Sequence, residues 1–418
     1  MAQLSDDCFA FGGELLSIGA ALAMLDAKLV AVVEPETVPL KEALGRILAA
    51  AIDAPRNVPP YDNAAVDGYA VFFADLSPDA ATELPIGGRA AAGHPLGRPA
   101  RRGEAIRIFT GAPMPEGPDT VLMQEDCSEA EGRVRILPGI KRGANRRRIG
   151  EDVMAGARVL GSGRRLRPQE LGLAAAMGFT TLPVYRRLRV AVFSTGDEVR
   201  DPGAALPAGA IYDANRYVLY ALLEGLGAAI TDLGILPDRD SAIREALAAA
   251  AAAHDLVIGS GGMSTGEEDR VKAAVEAQGR LHFWRLAIKP GRPVAMGQIG
   301  GIPFMGLPGN PVAVMVTFLL LARPLIQRLA GAAVTPPQRF RVTAGFDYKK
   351  RSNRCEYVRA RLVRDAAHGL RAEKFPRDGA GILSSMIESD GLVEIGEGIS
   401  RLAPGDPVEF LPFSELMG

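Results

Sequence analysis

Four short stretches gather small, hydroxyl and acidic residues just where an apolar run stops: STGDE at 194–198, LPDRD at 236–240, GSGGMSTGEED at 259–269 and GLPGNP at 306–311. Glycines and hydroxyls at the end of a strand let a backbone close on a phosphate. The third stretch, however, brings Glu267, Glu268 and Asp269 to the same place, and these would repel one. Carboxylates and phosphate coexist when a divalent cation lies between them, and Mg²⁺ typically takes one or two carboxylates together with phosphate oxygens. Glu198, Asp238 and Asp269 are therefore candidate metal ligands, and Gly259, Ser260, Gly261, Gly262 and Ser264 a candidate phosphate cradle. Taken singly, each stretch is equally a loop with an acidic cap on the next helix. Their recurrence at three strand ends favours a metal-bridged phosphate.

A second group is cationic. RLAIKPGRP, residues 285–293, sets Arg285, Lys289 and Arg292 around a Pro-Gly turn that follows one strand and precedes another. Held beside the same sheet edge, these cations would suit an oxyanion or a nucleotide phosphate; left free, they form a solvated basic loop. KRGANRRRIGED, residues 141–152, carries five basic residues without interleaved aromatics, which argues against nucleic acid. PPYDNAAVDGYAV (59–71) and IFTGAPMPEG (108–117) read as turns at strand ends. The four histidines, His94, His254, His282 and His368, lie in unrelated contexts, so no Ser/His or Cys/His relay is indicated, and no GxxxxGK[ST] loop is present.

The elements that must carry these groups alternate from about Leu188 to Gly331. LRVAVFS, AITDLGIL and DLVIGSGG read as strands; ANRYVLYALLEGLG, DSAIREALAAAAAAH (capped by Asp240 or Ser241) and EEDRVKAAVEAQG read as helices. Two more strands, PVAMGQI and IPFMGL, precede the helix beginning at NPVAVMV. Such alternation predicts a doubly wound, mostly parallel sheet with helices on both faces, whose ligands lie beyond the carboxyl ends of the strands. Short β-branched pieces between Gly and Pro make 55–150 a β-rich module. Residues 31–54 and 151–183 flank it and are expected to form one discontinuous mixed domain. The α/β domain spans 184–335, with the N-terminal helical segment 1–30 packed on it. Short strands such as EYVRARLV and GLVEIG make 336–418 a small C-terminal β-barrel.

Length and composition agree with several domains and a sizeable core. The chain has 418 residues, 48% hydrophobic and 23% charged, and a net charge of −1 leaves no global field for nucleic acid or an acidic membrane. Cys8, Cys127 and Cys355 include no CxxC pair, so neither a disulfide framework nor a zinc knuckle is expected, and a reducing cytoplasm is the default. The N-terminus lacks an apolar targeting core, and the apolar run from Val312 to Ala322 is too short to span a bilayer. A soluble protein without a membrane or nucleic-acid partner is the expectation.

PPYDNAAVDGYA, IFTGAPMPEGPDTVLMQED, RRIGEDV, FSTGDEV, GSGGMSTGEED, WRLAIKPGRP and GLPGNPV occur in the order found in molybdopterin molybdenumtransferases, which the chain resembles over nearly its whole length; the gephyrin E domain is a eukaryotic relative. The resemblance implies insertion of molybdenum from molybdate into adenylylated molybdopterin, with Mg²⁺ and release of AMP. It implies a homodimer whose active cleft lies between the α/β domain of one subunit and the β module of the other. Molybdopterin adenylyltransferase, apo-molybdoenzymes and their chaperones would be transient partners. By resemblance Asp62, Thr110 and Asp152 line the cleft from the β side, Lys289 binds anionic substrate, Pro308 and Pro311 stiffen its wall, and molybdate lies near Arg292, Pro293 and Arg359. Ala313 and Ala380 depart from positions where relatives commonly carry serine, and Arg285 and Arg292 stand where lysine is common. Two other functions fit a related fold, adenylyl transfer to molybdopterin and a gephyrin-like dimeric scaffold. The full set of acids with Lys289 favours the first enzyme over the scaffold, and the β module and barrel distinguish it from the adenylyltransferase.

Overall fold

The computed structural model describes residues 15–261, 270–365 and 369–417. The chain forms two compact units. One comprises Met1–Ala49, Ser162–Arg167 and Leu182–Gly418; the other comprises Ala50–Gly161 and Pro168–Thr181.

The second unit is built on a six-stranded sheet in the order Thr120–Met123, Gly68–Val71, Ala105–Ile108, Thr82–Ala90, Arg133–Ile136, Cys127–Ala130. All pairings are antiparallel except that of Thr82–Ala90 with Ala105–Ile108. Successive side chains of one strand enter opposite cores: Ala70 joins Ile106, Ile108 and Val121, while Tyr69 and Val71 join Leu84, Leu122 and Val134. Both faces of Gly68–Val71 are thus covered and all four of its residues are buried, whereas Arg133–Ile136 alternates exposed and buried. Residues 31–54 and 151–183 do approach each other: Ile52–Asp53 pairs with Arg158–Leu160 inside this unit, and Ile47 bridges to Arg165 in the other.

In the first unit, helix α1 (Ile18–Lys28) is capped by Ser17, whose hydroxyl accepts the Ala20 N–H at 3.2 Å. It buries Ala21 and Leu25 in the main core. The α/β sheet uses β1 (Arg189–Thr195), β2 (Ala229–Leu236), β3 (Leu256–Ser260), β4 (Gly279–Arg285), β6 (Pro293–Ile299) and β7 (Ile302–Leu307); the short β5 (Ile288–Lys289) lies outside it. The spatial order is β2-β1-β3-β7-β6-β4. Val190 and Val192 of β1 pack with Leu219 and Leu223 of helix α2 (Asn215–Gly225), whereas Ala191 and Phe193 pack with Ile243 and Leu247 of helix α3 (Asp240–Ala253) and Val271 of helix α4 (Arg270–Glu276). The N-cap of α3 is Arg239, so Asp240 is the first helical residue rather than the cap.

The β2, β1, β3 and β7 strands run parallel, and β6 alone is reversed, pairing antiparallel with both β7 and β4. The reason is local. Only Gly300 and Gly301, both at positive φ, separate β6 from β7, and a two-residue turn makes a hairpin, not a crossover.

After β7 the chain enters α5 (Pro311–Thr317), a π-helical stretch Phe318–Ala322, and α6 (Arg323–Leu329). The helical run therefore continues past the apolar stretch Val312–Ala322. Pro311–Leu329 is the one helix among the described residues long and apolar enough to cross a membrane, and its most apolar window is 78% buried inside the protein. It is the central core helix. Beyond it, β8 (Phe340–Ala344), β9 (Cys355–Asp365), β10 (Gly369–Lys374), β11 (Gly391–Ile395) and β12 (Pro407–Pro412) pair in the order β9-β10-β8-β12-β11, and β11 returns to β9. This closes a five-stranded barrel around Val342, Val358, Val393 and Phe410. The β5 strand joins the barrel sheet, with Lys289 in register with Glu356.

Candidate functional site

The carboxyl ends of β3 and β7 are pinned by one side chain. Asn215, at the start of α2, donates its Nδ2 to Ser260 Oγ at 2.9 Å and to Gly309 O at 2.7 Å, and Ser260 in turn donates to Pro308 O at 3.3 Å. Gly261 has φ +83, and a Cβ there would lie 2.6 Å from Thr195 O, so the turn after β3 requires glycine. Gly259 has a different task. It sits inside β3, where a Cβ would strike the Phe193 ring at 2.5 Å. Ser194 and Thr195 at the end of β1 are buried, and their hydroxyls find no partner among the described residues.

Beside these strand ends is a cavity of about 580 Å³. Of the residues singled out in the sequence, Glu198, Gly261, Lys289, Pro293, Pro308 and Arg359 line it. Ala313 and Ala380 line it as well, so the wall presents methyl groups where hydroxyls were expected; the Val312 N–H donates to Ala380 O at 2.9 Å and locks that wall. Lys289 projects from β5, half exposed, with Nζ 3.3 Å from Glu356 Oε2. Arg359 comes from β9 and is 8% exposed; it donates Nε to Ser385 Oγ and Nη2 to Gly379 O, both at 3.0 Å. Two held cations in a concave wall can neutralise a multiply charged oxyanion, and a guanidinium with free N–H groups can do so with defined geometry.

Other residues singled out in the sequence fall outside the cavity wall. Arg285 and Arg292 are exposed at the ends of the β4 and β6 pairing, where Arg285 faces Pro293 across the ladder and the Leu286 N–H bonds Arg292 O at 2.8 Å. Pro311 occupies the first turn of α5, where a missing N–H costs nothing. Asp238, beyond β2, has its carboxylate 3.5 Å from Arg270 Nε and its carbonyl bonded by the same guanidinium. Gly262, Ser264 and Asp269 lie outside the described residues. Among the described residues, no group of three or more His, Cys, Asp or Glu is arranged to hold a metal ion. Glu198 and Asp238 nevertheless stand at the ends of the paired strands β1 and β2, and their hard carboxylate oxygens are the donors Mg²⁺ takes.

The polar residues expected on the β side occupy the second unit. Asp62 accepts the Ile149 N–H at 2.6 Å and is bonded by Arg146. Burial is the largest influence on its carboxyl and pushes it up, but these two donors outweigh it and hold the group below the usual carboxylate range. The Thr110 hydroxyl and N–H both go to Asp67 Oδ1. Asp152 is exposed, with its N–H on Val58 O at 3.0 Å. The Met114 N–H bonds Asp62 O at 2.9 Å, which laces the three loops together.

Sequence reasoning missed Asp67 and Asn215, and on the barrel side it missed Tyr348, Glu356 and Asp378, all of which line the cavity. Glu356 is 1% exposed and accepts from Tyr348 OH at 2.7 Å and from Arg354 Nε at 2.8 Å. Burial pushes its carboxyl up, yet the Tyr348, Arg354 and Lys289 donors win and hold it below the usual value.

Comparison with known proteins bears on the whole chain. Residues 16–178 match the MoeA N-terminal region (domain I and II), residues 191–328 a probable molybdopterin binding domain, and residues 341–413 the MoeA C-terminal region (domain IV). The chain is 39% identical to a molybdopterin molybdenumtransferase of Haemophilus influenzae over 92% of its length and 95% of the relative's. It is 34% identical to molybdopterin molybdenumtransferase 2 of Mycobacterium tuberculosis, over 92% of this chain and 96% of that one. The crystal structure of the molybdopterin biosynthesis moeA protein from Pyrococcus horikoshii superposes with a TM-score of 0.81 at 29% identity, covering 96% of this chain and all of the other. The strand-end cradle, the cationic cavity beside it and these likenesses together establish that the chain belongs to the molybdopterin molybdenumtransferase family, transferases that insert molybdenum in molybdenum cofactor biosynthesis.

Proposed function

We propose that this chain is the cytoplasmic enzyme that takes molybdenum from molybdate, places it in adenylylated molybdopterin and releases AMP, with Mg²⁺ as cofactor. The observation that carries this reading is the cavity at the ends of β1, β3 and β7, which Lys289, Arg359 and Glu198 line together with Pro293 and Pro308. Lys289 and Arg359 bind and orient the anionic groups, and the Gly261 turn lets the backbone approach phosphate oxygens. Glu198, with Asp238 and Asp269, would hold Mg²⁺. When bound there the cation would neutralise the pyrophosphate linkage and stabilise charge on the departing phosphate. Asp238 then has to leave Arg270, a half-exposed contact of the kind that contributes little stability.

On this reading the protein acts as a homodimer, with Asp62, Thr110 and Asp152 of one copy completing the cavity of the other. Molybdopterin adenylyltransferase supplies the substrate, and apo-molybdoenzymes or their chaperones take the product. The test is AMP release by metal-stripped protein given adenylylated molybdopterin, with Mg²⁺ and molybdate added separately and together. Release only with both supports the proposal. Release at full rate without Mg²⁺ removes the metal from it, and release without molybdate uncouples cleavage from insertion.

A further inference from the structure

Lys289 enters the cavity on a flexible four-carbon stem, and a lysine left to itself samples many rotamers. Here it is tied twice. Its backbone is in register with Glu356 along the parallel β5–β9 pairing, and its ammonium lies 3.3 Å from Glu356 Oε2. The Glu356 carboxylate is itself immobile: it is 1% exposed, the Tyr348 hydroxyl donates to the same Oε2 at 2.7 Å, and Arg354 holds Oε1 at 2.8 Å through Nε. Burial of an ionised carboxylate is tolerated only with such a full set of donors. The Lys289 side chain is 50% exposed while that of Glu356 is 2% exposed, so the lysine stands toward the cavity and the glutamate behind it.

We infer that Glu356 is the positioning residue for Lys289, holding the ammonium at the cavity wall from behind and leaving two of its three N–H donors for the anionic group of the substrate. An ammonium has three donors and no acceptor, so one committed backward still leaves a forward-facing pair. Glu356 acts through Lys289 in this scheme, not on the reacting atoms. The inference rests on the cavity being the anion site proposed above. A purely structural alternative is that Glu356 only fastens the barrel to the strand before the Pro-Gly turn.

A double-mutant cycle separates the two. Single-turnover molybdenum insertion and the molybdate dissociation constant are measured for the parent, Lys289→Met, Glu356→Gln and the double variant, with thermal unfolding as the check on fold. Misplacing a group that must meet a substrate costs on the order of tenfold or more in rate, so Glu356→Gln is expected to insert at least about tenfold slower at saturation while its molybdate constant moves less than about threefold. In the Lys289→Met background the same substitution should cost less than about threefold further, because residues acting through one another are not additive. Glu356→Asp, which keeps the charge but withdraws it by one methylene, carries the same expectations and replaces Glu356→Gln if that variant fails to fold. Parent-rate insertion by these Glu356 variants overturns the inference, as does a full additional loss in the Lys289→Met background. Parent-rate insertion by Lys289→Met overturns the anion-site reading itself.

Discussion

Thr110 gives both its hydroxyl and its backbone N–H to one oxygen of Asp67, at 2.7 and 2.8 Å. The threonine expected to face substrate is therefore held by a carboxylate 43 residues earlier in the chain.

Removing that carboxylate should mimic removing the threonine. Asp67→Ala is expected to lower the insertion rate as much as Thr110→Ala, and the double variant should be no slower than either single one. The same pairing gives a pH signature. The Thr110 N–H, and then its hydroxyl, hold the Asp67 carboxyl below its usual value near 3.8. The stabilisation it provides is thus present above about pH 4 and fades as the pH falls further. Equal pH dependence of unfolding in Asp67→Ala and parent would refute the pairing.

The strand ends were legible because glycine, proline and carboxylate placements there follow from what a phosphate-approaching backbone needs. Glu198, Gly261 and Pro308 do meet at one cavity. Glu356 was not legible. It lies in RCEYVRARLV, where nothing local marks it as buried; its burial follows from the pairing of β9 with β5, a register set by the whole barrel. A charged residue between Cys355 and Tyr357 on a strand was the one available signal. Asp67 reads as an ordinary Asp-Gly turn until Thr110 is brought against it. Arg285 and Arg292 lie outside the cavity wall, at the end of the β4–β6 pairing, a placement that charge and proximity in sequence do not specify.

Two of the cavity-lining glycines, Gly261 and Gly309, should behave differently. At Gly261 a methyl group meets the Thr195 carbonyl at 2.6 Å and the backbone is left-handed, so Gly261→Ala is expected to cost about 2 kcal/mol or more. At Gly309 the nearest atom to an added Cβ is 4.0 Å away and φ is not positive, so Gly309→Ala should stay within about 0.5 kcal/mol of the parent. Thermal unfolding of both variants decides it. Equal midpoints would mean that the β3 turn is free to relax.

Asp255, at the foot of β3, is a purely structural charge with a measurable pH consequence. It is 2% exposed and accepts from Arg186 Nη1 at 2.6 Å and from the Arg189 N–H and Nη2 at 2.9 Å each. Burial is the largest influence and pushes its carboxyl up, but the two arginines together outweigh it and hold the group at about 2, against the usual 3.8. A folded value below the unfolded one contributes stability above the unfolded pKa, here about 2 kcal/mol, which is lost as pH falls from about 4 toward 2. Urea unfolding of parent and Asp255→Asn should therefore differ most above pH 4 and converge below it. A gap that is constant with pH would assign the loss to packing alone.

The proposed homodimer makes a quantitative prediction about mixed subunits. Asp62 belongs to one compact unit and Glu198 to the other, and each is expected to be needed for insertion. If the site joins Asp62 of one copy to Glu198 of its partner, a heterodimer of Asp62→Asn and Glu198→Gln contains one site with both residues native and one with neither. Random exchange makes half of the dimers mixed, and each mixed dimer has one good site of two, so activity should return to about one quarter of the parent from two nearly inactive preparations. Asp62→Asn is chosen because the amide oxygen can still accept the Ile149 N–H, which keeps the loop in place. If both residues serve a site within one chain, every site in the mixture carries a defect and no activity returns. Verified heterodimers without recovery would therefore confine the site to a single subunit, and a chain that sediments as a monomer at micromolar concentration would exclude the shared site altogether.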